Sequence, residues 1–171
     1  MQITDLICYN RVVRESYLET MSKLQWKEVT AFRGLSWDSM RNVFVHLTLV
    51  EDRWINFIIP GRFNEWVDPD FEAFTNMDSL KKYMQQVNGN TEKYLAKLSP
   101  EEINREIVIP WGEKPFIKLK VEAVLTHMIM EDMVHYGELS AVIWQMGLEA
   151  PYKAFWRYKQ QNPCAQLCGR I

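Results

Sequence analysis

Glycine and proline are scarce in this chain of 171 residues, with seven of each. So few turn-formers argue against an all-β fold and favour long helices. Cysteine is scarcer still, at Cys8, Cys164 and Cys168. An odd, sparse set is no disulfide framework, and Cys164-x-x-x-Cys168 lacks the second pair that a structural zinc site requires. Free thiols in a reducing compartment are therefore expected. Charge is nearly balanced, at a formal net of -2 with no basic run, so a nucleic-acid partner has no electrostatic support. No uncharged apolar stretch reaches transmembrane length, and the N-terminus lacks the basic-then-apolar pattern of a signal peptide. The expectation is one cytoplasmic domain over residues 1–171, with no membrane partner. Gly-rich phosphate loops, nucleophile elbows and His-Glu-x-x-His are also missing.

What is present is helical periodicity. Val13, Tyr17, Met21 and Leu24 recur at helical spacing and predict a first helix from about Leu6 to Val29. Ser36 is the expected N-cap of a second, which runs through Met40, Val43, Phe44, Leu47, Trp54 and Ile58 to a stop at Pro60-Gly61. Arg62 to Thr75, broken by Pro69, reads as a structured connection. A third helix, capped by Thr75 or Asn76, carries Leu80, Tyr83, Met84, Val87 and Leu95. Asn88-Gly-Asn90 weakens it locally, since Gly costs about 1 kcal/mol against Ala in a helix. Ser99-Pro-Glu-Glu102 breaks the pattern. Two short alternating runs flank Pro110–Pro115, so Glu106–Lys120 is expected to form a β-hairpin. A last helix spans about Val121 to Met146, with Gly147 as its stop. Its stripe is Val121, Val124, Met128, Glu131, His135, Leu139, Val142 and Met146. Residues from about 151 to 171 read as a weakly patterned aromatic tail.

The chain has three histidines, and two of them, His127 and His135, flank Glu131 at four-residue spacing on that last helix. Residues four apart share a helix face. Glu131 and His135 occupy the middle of an apolar stripe, where an unpartnered carboxylate is costly. Either a metal ion or an internal Glu–His ion pair satisfies both. His127 and His135 lie about 12 Å apart along the axis and cannot share one ion. Glu131 can pair with either of them, and its pairing with His135 is preferred, which leaves His127 as a group supporting the ligands or, more simply, an ordinary helix-flank histidine. His46, in the apolar second helix, reads by itself as a satisfied core histidine. Glu51-Asp52 reads as a solvated helix face, and Trp54, Trp144 and Met128 as core.

His46-Leu-Thr-Leu-Val-Glu-Asp-Arg-Trp54 resembles the second helix of the DinB/YfiT-like proteins. Val134-His-Tyr-Gly-Glu-Leu-Ser-Ala-Val-Ile-Trp-Gln-Met-Gly147 resembles the last helix of that family's bundle, and the order of elements agrees up to about Tyr152. The resemblance implies an all-α, up-and-down four-helix bundle with a small β-hairpin before the last bundle helix. It also implies a metal site in which His46 takes the place of the family's first ligand and His135 that of its last. The middle ligand, a His in the family, is Glu131 here, and Tyr136-Gly137-Glu138 replaces the common Arg-Gly-Gln. Two His and one carboxylate suit a divalent ion with open positions, with zinc or nickel favoured and iron or manganese acceptable. The resemblance extends to metal-dependent transferases or isomerases that use a low-molecular-weight thiol. The competing reading is a stress-related interaction protein with a vestigial site, and a metal-dependent hydrolase ranks below both. A homodimer is implied as well, for which the two apolar sides of the second helix would serve.

Overall fold

The computed structural model describes residues 2–109 and 116–162. The described chain is mostly helical with one small hairpin. Helix α1 (Ile3–Ser22) buries Ile7, Val13, Tyr17, Leu18 and Met21 on its inner face. The single first helix expected to reach Val29 is instead broken after Ser22. Gln25 N donates to Glu28 Oε2 at 3.1 Å, and this local cap starts a separate short helix, α2 (Trp26–Thr30).

Helix α3 (Met40–Arg53) is capped by Ser39, whose Oγ accepts from Asn42 N at 3.2 Å, and not by Ser36. It passes into a π-helical turn at Trp54–Ile58, and Gly61, at φ 77°, ends the run as expected. Both apolar sides of α3 are buried within the chain, so the dimer face expected on this helix is not free. Two 3-10 turns, Phe63–Glu65 and Phe71–Ala73, form the expected structured connection.

Helix α4 (Met77–Leu95) is capped by Asn76 and runs uninterrupted through Asn88-Gly-Asn90. Tertiary contacts hold it there: Arg11 Nη2 donates to Asn88 O at 2.5 Å, and buried Thr91 donates to Glu51. Ser99 then caps a short helix that periodicity misses, α5 (Pro100–Asn104), with Pro100 in its first turn. Strands β1 (Glu106–Ile109) and β2 (Ile117–Lys120) pair antiparallel, with Ile107 opposite Leu119. The expected turn at Pro110–Pro115 lies outside the described residues.

Helix α6 (Val121–Gln145) is closed by Gly147 at φ 74°. It is buried on more than the one expected stripe, because Leu125, Ile129, Asp132, Tyr136 and Ile143 are inside too. Trp144 is exposed, not core. Part of the tail is ordered as α7 (Phe155–Gln161), which sets Phe155 and Tyr158 against Tyr9 of α1, with Lys159 on Asp5 at 3.0 Å. Cys8 is disulfide-bonded, which corrects the expectation of a free thiol at that position. Cys164 and Cys168 lie outside the described residues. α1 packs on α4 and α6, and α3 packs on α4 and α6, so the core lies among these four helices. Among the described residues, no helix is long and apolar enough to cross a membrane.

Candidate metal centre

His46 sits in the middle of α3, and Glu131 and His135 lie one turn apart on α6. The α3–α6 packing turns these positions toward one another. One ligand atom from each residue falls in a group with all separations within 4.8 Å. His46 and His135 are buried, and their rings meet edge-to-face with centroids 4.8 Å apart. Glu131 is half-buried at the mouth of the group.

Each oxygen of Glu131 has its own imidazole. His46 Nε2 lies 3.1 Å from Oε1 and His127 Nε2 lies 3.1 Å from Oε2. Of its two readings, His127 thus fits the supporting group and not the ordinary flank histidine, by its contact with Glu131. Its ring also meets the buried Trp54 edge-to-face at 5.8 Å. The Glu131 carboxyl is held below the usual carboxylate range, first by the hydrogen bond from His46. The charges of His127, His46 and His135 add to this, against the opposing effect of burial.

His135 is held from behind. Its Nδ1 lies 2.6 Å from Glu138 Oε2. Glu138 in turn accepts from Ser36 Oγ at 2.8 Å and from Ser36 N at 3.1 Å. Burial opposes the ionised Glu138, but the hydrogen bonds from His135 and Ser36 keep its carboxyl below the usual range. A carboxylate on Nδ1 fixes the ring so that Nε2 is the free donor, the arrangement found behind metal-bound histidines. Ser36 reaches Glu138 because Leu35–Asp38 is a tight turn, closed by Asp38 N donating to Leu35 O at 3.0 Å, with Asp38 at φ 67°. The same turn stacks Trp37 on His46, with centroids 4.2 Å apart. The Ser36 expected to start a helix therefore serves the site.

The donor set suits a divalent ion: two imidazoles and one carboxylate, borne by two packed helices. The two histidines are supported differently. His46 Nδ1 is buried without a hydrogen-bond partner among the described residues, whereas His135 Nδ1 has Glu138.

Beneath this group lies a second polar cluster. Arg14 of α1 donates Nη1 to Glu51 at 2.7 Å and Nη2 to Asp132 at 2.5 Å, and all three side chains are buried. Arg11 lies 3.5 Å from Glu51, and Asn10 bonds Asp132. Glu51 is therefore not on a solvated face. Burial works against its carboxylate, but Arg14, Arg11 and Thr91 hold it below the usual range. Asp132 faces the opposite outcome: burial outweighs Arg14 and pushes its carboxyl up. The signal for this cluster is in the sequence, because Arg14 stands three residues before Tyr17 and Asp132 four before Tyr136, both within apolar faces.

No curated protein matches the chain. A sequence model of the DinB family matches residues 1–165. That match takes in every helix described above, together with His46, Glu131 and His135, and the chain belongs to the DinB family.

Proposed function

We propose that this protein binds one divalent metal ion through His46, Glu131 and His135, within four long helices arranged as an up-and-down bundle. The observation that carries this reading is the convergence of three donors from α3 and α6 within 4.8 Å, with Glu138 behind one of them. His135 presents Nε2 because Glu138 and Ser36 fix its other nitrogen. Glu131 presents Oε1 because His127 engages Oε2. Trp37 covers the His46 ring and limits water on that side.

A divalent ion held by three protein donors supplies an open position that lowers the pKa of a bound thiol or water. The chemistry we assign is transfer or isomerisation with a low-molecular-weight thiol, carried out in the half-buried mouth beside Glu131. Zinc or nickel is the preferred ion. The test is elemental analysis of untagged protein purified without chelators, beside His135→Ala, followed by a thiol-consumption assay with electrophilic acceptors. Near-stoichiometric metal in the parent alone, with chelator-sensitive thiol loss, is expected. A parent that stays metal-free after incubation with zinc, nickel, manganese or iron(II) would rule the site out.

One observation favours a second reading. Glu131 already pairs directly with His46 and His127, an ion-pair arrangement that needs no metal. An interaction protein with a vestigial site would then remain. The metal-free chain would be fully folded and His46→Ala would alter packing alone.

A further inference from the structure

We infer that Trp37 is the positioning residue of His46. Its indole fixes the imidazole by stacking, where no hydrogen bond does, and so, on the metal reading above, it tunes the affinity of the site.

His46 and His135 are buried to nearly the same degree, at 6% and 8% exposure, but they are held in different ways. Glu138 takes Nδ1 of His135. Nδ1 of His46 is buried with no hydrogen-bond partner among the described residues. A ligating imidazole is ordinarily steadied by a hydrogen bond at its second nitrogen, so this ring needs another restraint. Trp37 lies on it, with centroids 4.2 Å apart and planes 21° from parallel. His135 meets the ring only edge-on. Glu131 holds Nε2, the atom that a metal would take. With Nε2 given to a metal, the stacking contact is what sets the plane of the ring.

Trp37 is itself braced. Arg33 N donates to Asp38 O at 2.7 Å across its turn, and Ser39 N donates to Trp37 O at 2.8 Å. Gly34 and Asp38 take left-handed φ values of 66° and 67° at the ends of that turn, a conformation that Gly adopts freely and Asp tolerates. The indole also leans on Phe71, with centroids 5.6 Å apart. Phe71 belongs to the 3-10 turn whose Glu72 accepts from Arg41 Nη1 at 2.9 Å. Arg41 stands on α3, five residues before His46. The brace therefore starts and ends on α3. It does for His46 what Ser36 and Glu138 do for His135, with rings in place of hydrogen bonds at its last two contacts.

Stacking has an electrostatic side as well. An imidazole that donates to a divalent ion carries part of the charge. The face of an indole attracts a cation more strongly than a phenyl ring does, and an aliphatic chain offers no such attraction. Trp37 therefore favours the metal-bound ring over the free one, and affinity should fall in the order Trp, Phe, Leu at this position. A packing role gives no reason for that order, because Trp37 is 39% exposed and both substitutes keep an apolar cover.

Zinc titration of the full chain against a competing chelator should compare the parent, Trp37→Phe and Trp37→Leu. Trp37→Leu should bind about tenfold more weakly, with Trp37→Phe between it and the parent. Thermal midpoints of the chelator-treated proteins should not follow that order. Nuclear magnetic resonance of the metal-free chain gives a second readout, with His46→Ala to assign the signals. The indole should shift the His46 ring protons upfield, in part still in Trp37→Phe and no longer in Trp37→Leu. Equal zinc affinity in the parent and Trp37→Leu would overturn the assignment. So would an affinity loss matched by an equal loss of metal-free stability, or His46 signals that Trp37→Leu leaves in place. A parent that takes up no zinc would sink the metal reading alone, and the His46 signals would then decide whether Trp37 positions the ring.

Discussion

Arg14 of α1 donates to Asp132 of α6 at 2.5 Å, with both side chains buried, and Asp132 is the residue directly after Glu131. The pair sets the rotation of α6 against α1, and with it the direction in which Glu131 and His135 face α3. Arg14 also bridges to Glu51 on α3, so one guanidinium ties together the two helices that carry the site. Removing it leaves two buried carboxylates short of their counter-charge. Arg14→Ala is expected to cost about 3–5 kcal/mol, as measured by urea unfolding with an unchanged m-value. A loss below about 1 kcal/mol would mean that the cluster is hydrated or dispensable.

The same cluster sets a pH dependence. The folded Glu51 carboxyl lies below its ordinary value, so it stabilises the fold above the unfolded range near pH 4.3. That contribution is lost as pH falls through the folded value. Asp132, raised by burial, has the opposite sign: it favours the fold at low pH and loses this as pH rises through its folded value. Glu51→Gln should therefore be less stable than the parent at pH 7, with a flatter decline in acid. Unfolding curves between pH 7 and pH 3 would show this, and parallel declines in the two proteins would contradict it.

Glu138→Gln keeps the shape of the side chain behind His135 but removes its charge. Metal affinity is expected to fall about 10- to 100-fold with the fold intact, as read by titration against a competing chelator. His135→Ala should abolish binding, and unchanged affinity in Glu138→Gln would show that the carboxylate does not support the ligand.

Two nearby serines should separate cleanly. Ser39 caps α3, and Ser39→Ala should cost about 1 kcal/mol of stability with no direct effect at the site. Ser36 is exposed and bonds Glu138, so Ser36→Ala should leave stability within about 0.5 kcal/mol and weaken metal binding. Thermal midpoints beside chelator titrations would decide the assignment, and the reverse pattern would refute it.

Added metal should stabilise the folded chain by about 2.7 kcal/mol when free metal stands at 100 times its dissociation constant. Because each ligand must be unprotonated, that gain should shrink on acidification. Differential scanning calorimetry with and without the ion would measure both effects.

The periodicity of apolar residues was enough to place the long helices. Gly61 and Gly147 marked where two of them stop, and the alternation at Glu106–Ile109 and Ile117–Lys120 marked the hairpin. These signals are local, since they depend on which residues stand within a turn or a strand of one another. That Glu131 and His135 share one face of α6 was legible for the same reason, but the ion pair expected between them is not made: Glu131 pairs with His46 and His127, and His135 with Glu138. His46 was different. Its helix is apolar on more than one side, so periodicity assigns it no direction, and only the family resemblance singled it out.

What tertiary structure alone decided were the partners. Glu51 looked solvated until Arg14 and Arg11 arrived from α1. Ser36 looked like a cap until its turn brought it to Glu138. Asn88-Gly-Asn90 stayed helical because Arg11 and Glu51 hold that turn. Trp144 looked like core and is outside, because α6 is flanked by α1 and α3 and its third side is left bare. The sequence by itself determined the long helices, the hairpin and the types of donor side chain, because backbone periodicity and donor type are properties of neighbours along the chain. Which charges are buried, which nitrogen of His135 is free, and which helix face remains open depend on residues as far as 102 and 118 positions apart, and only packing brings those together.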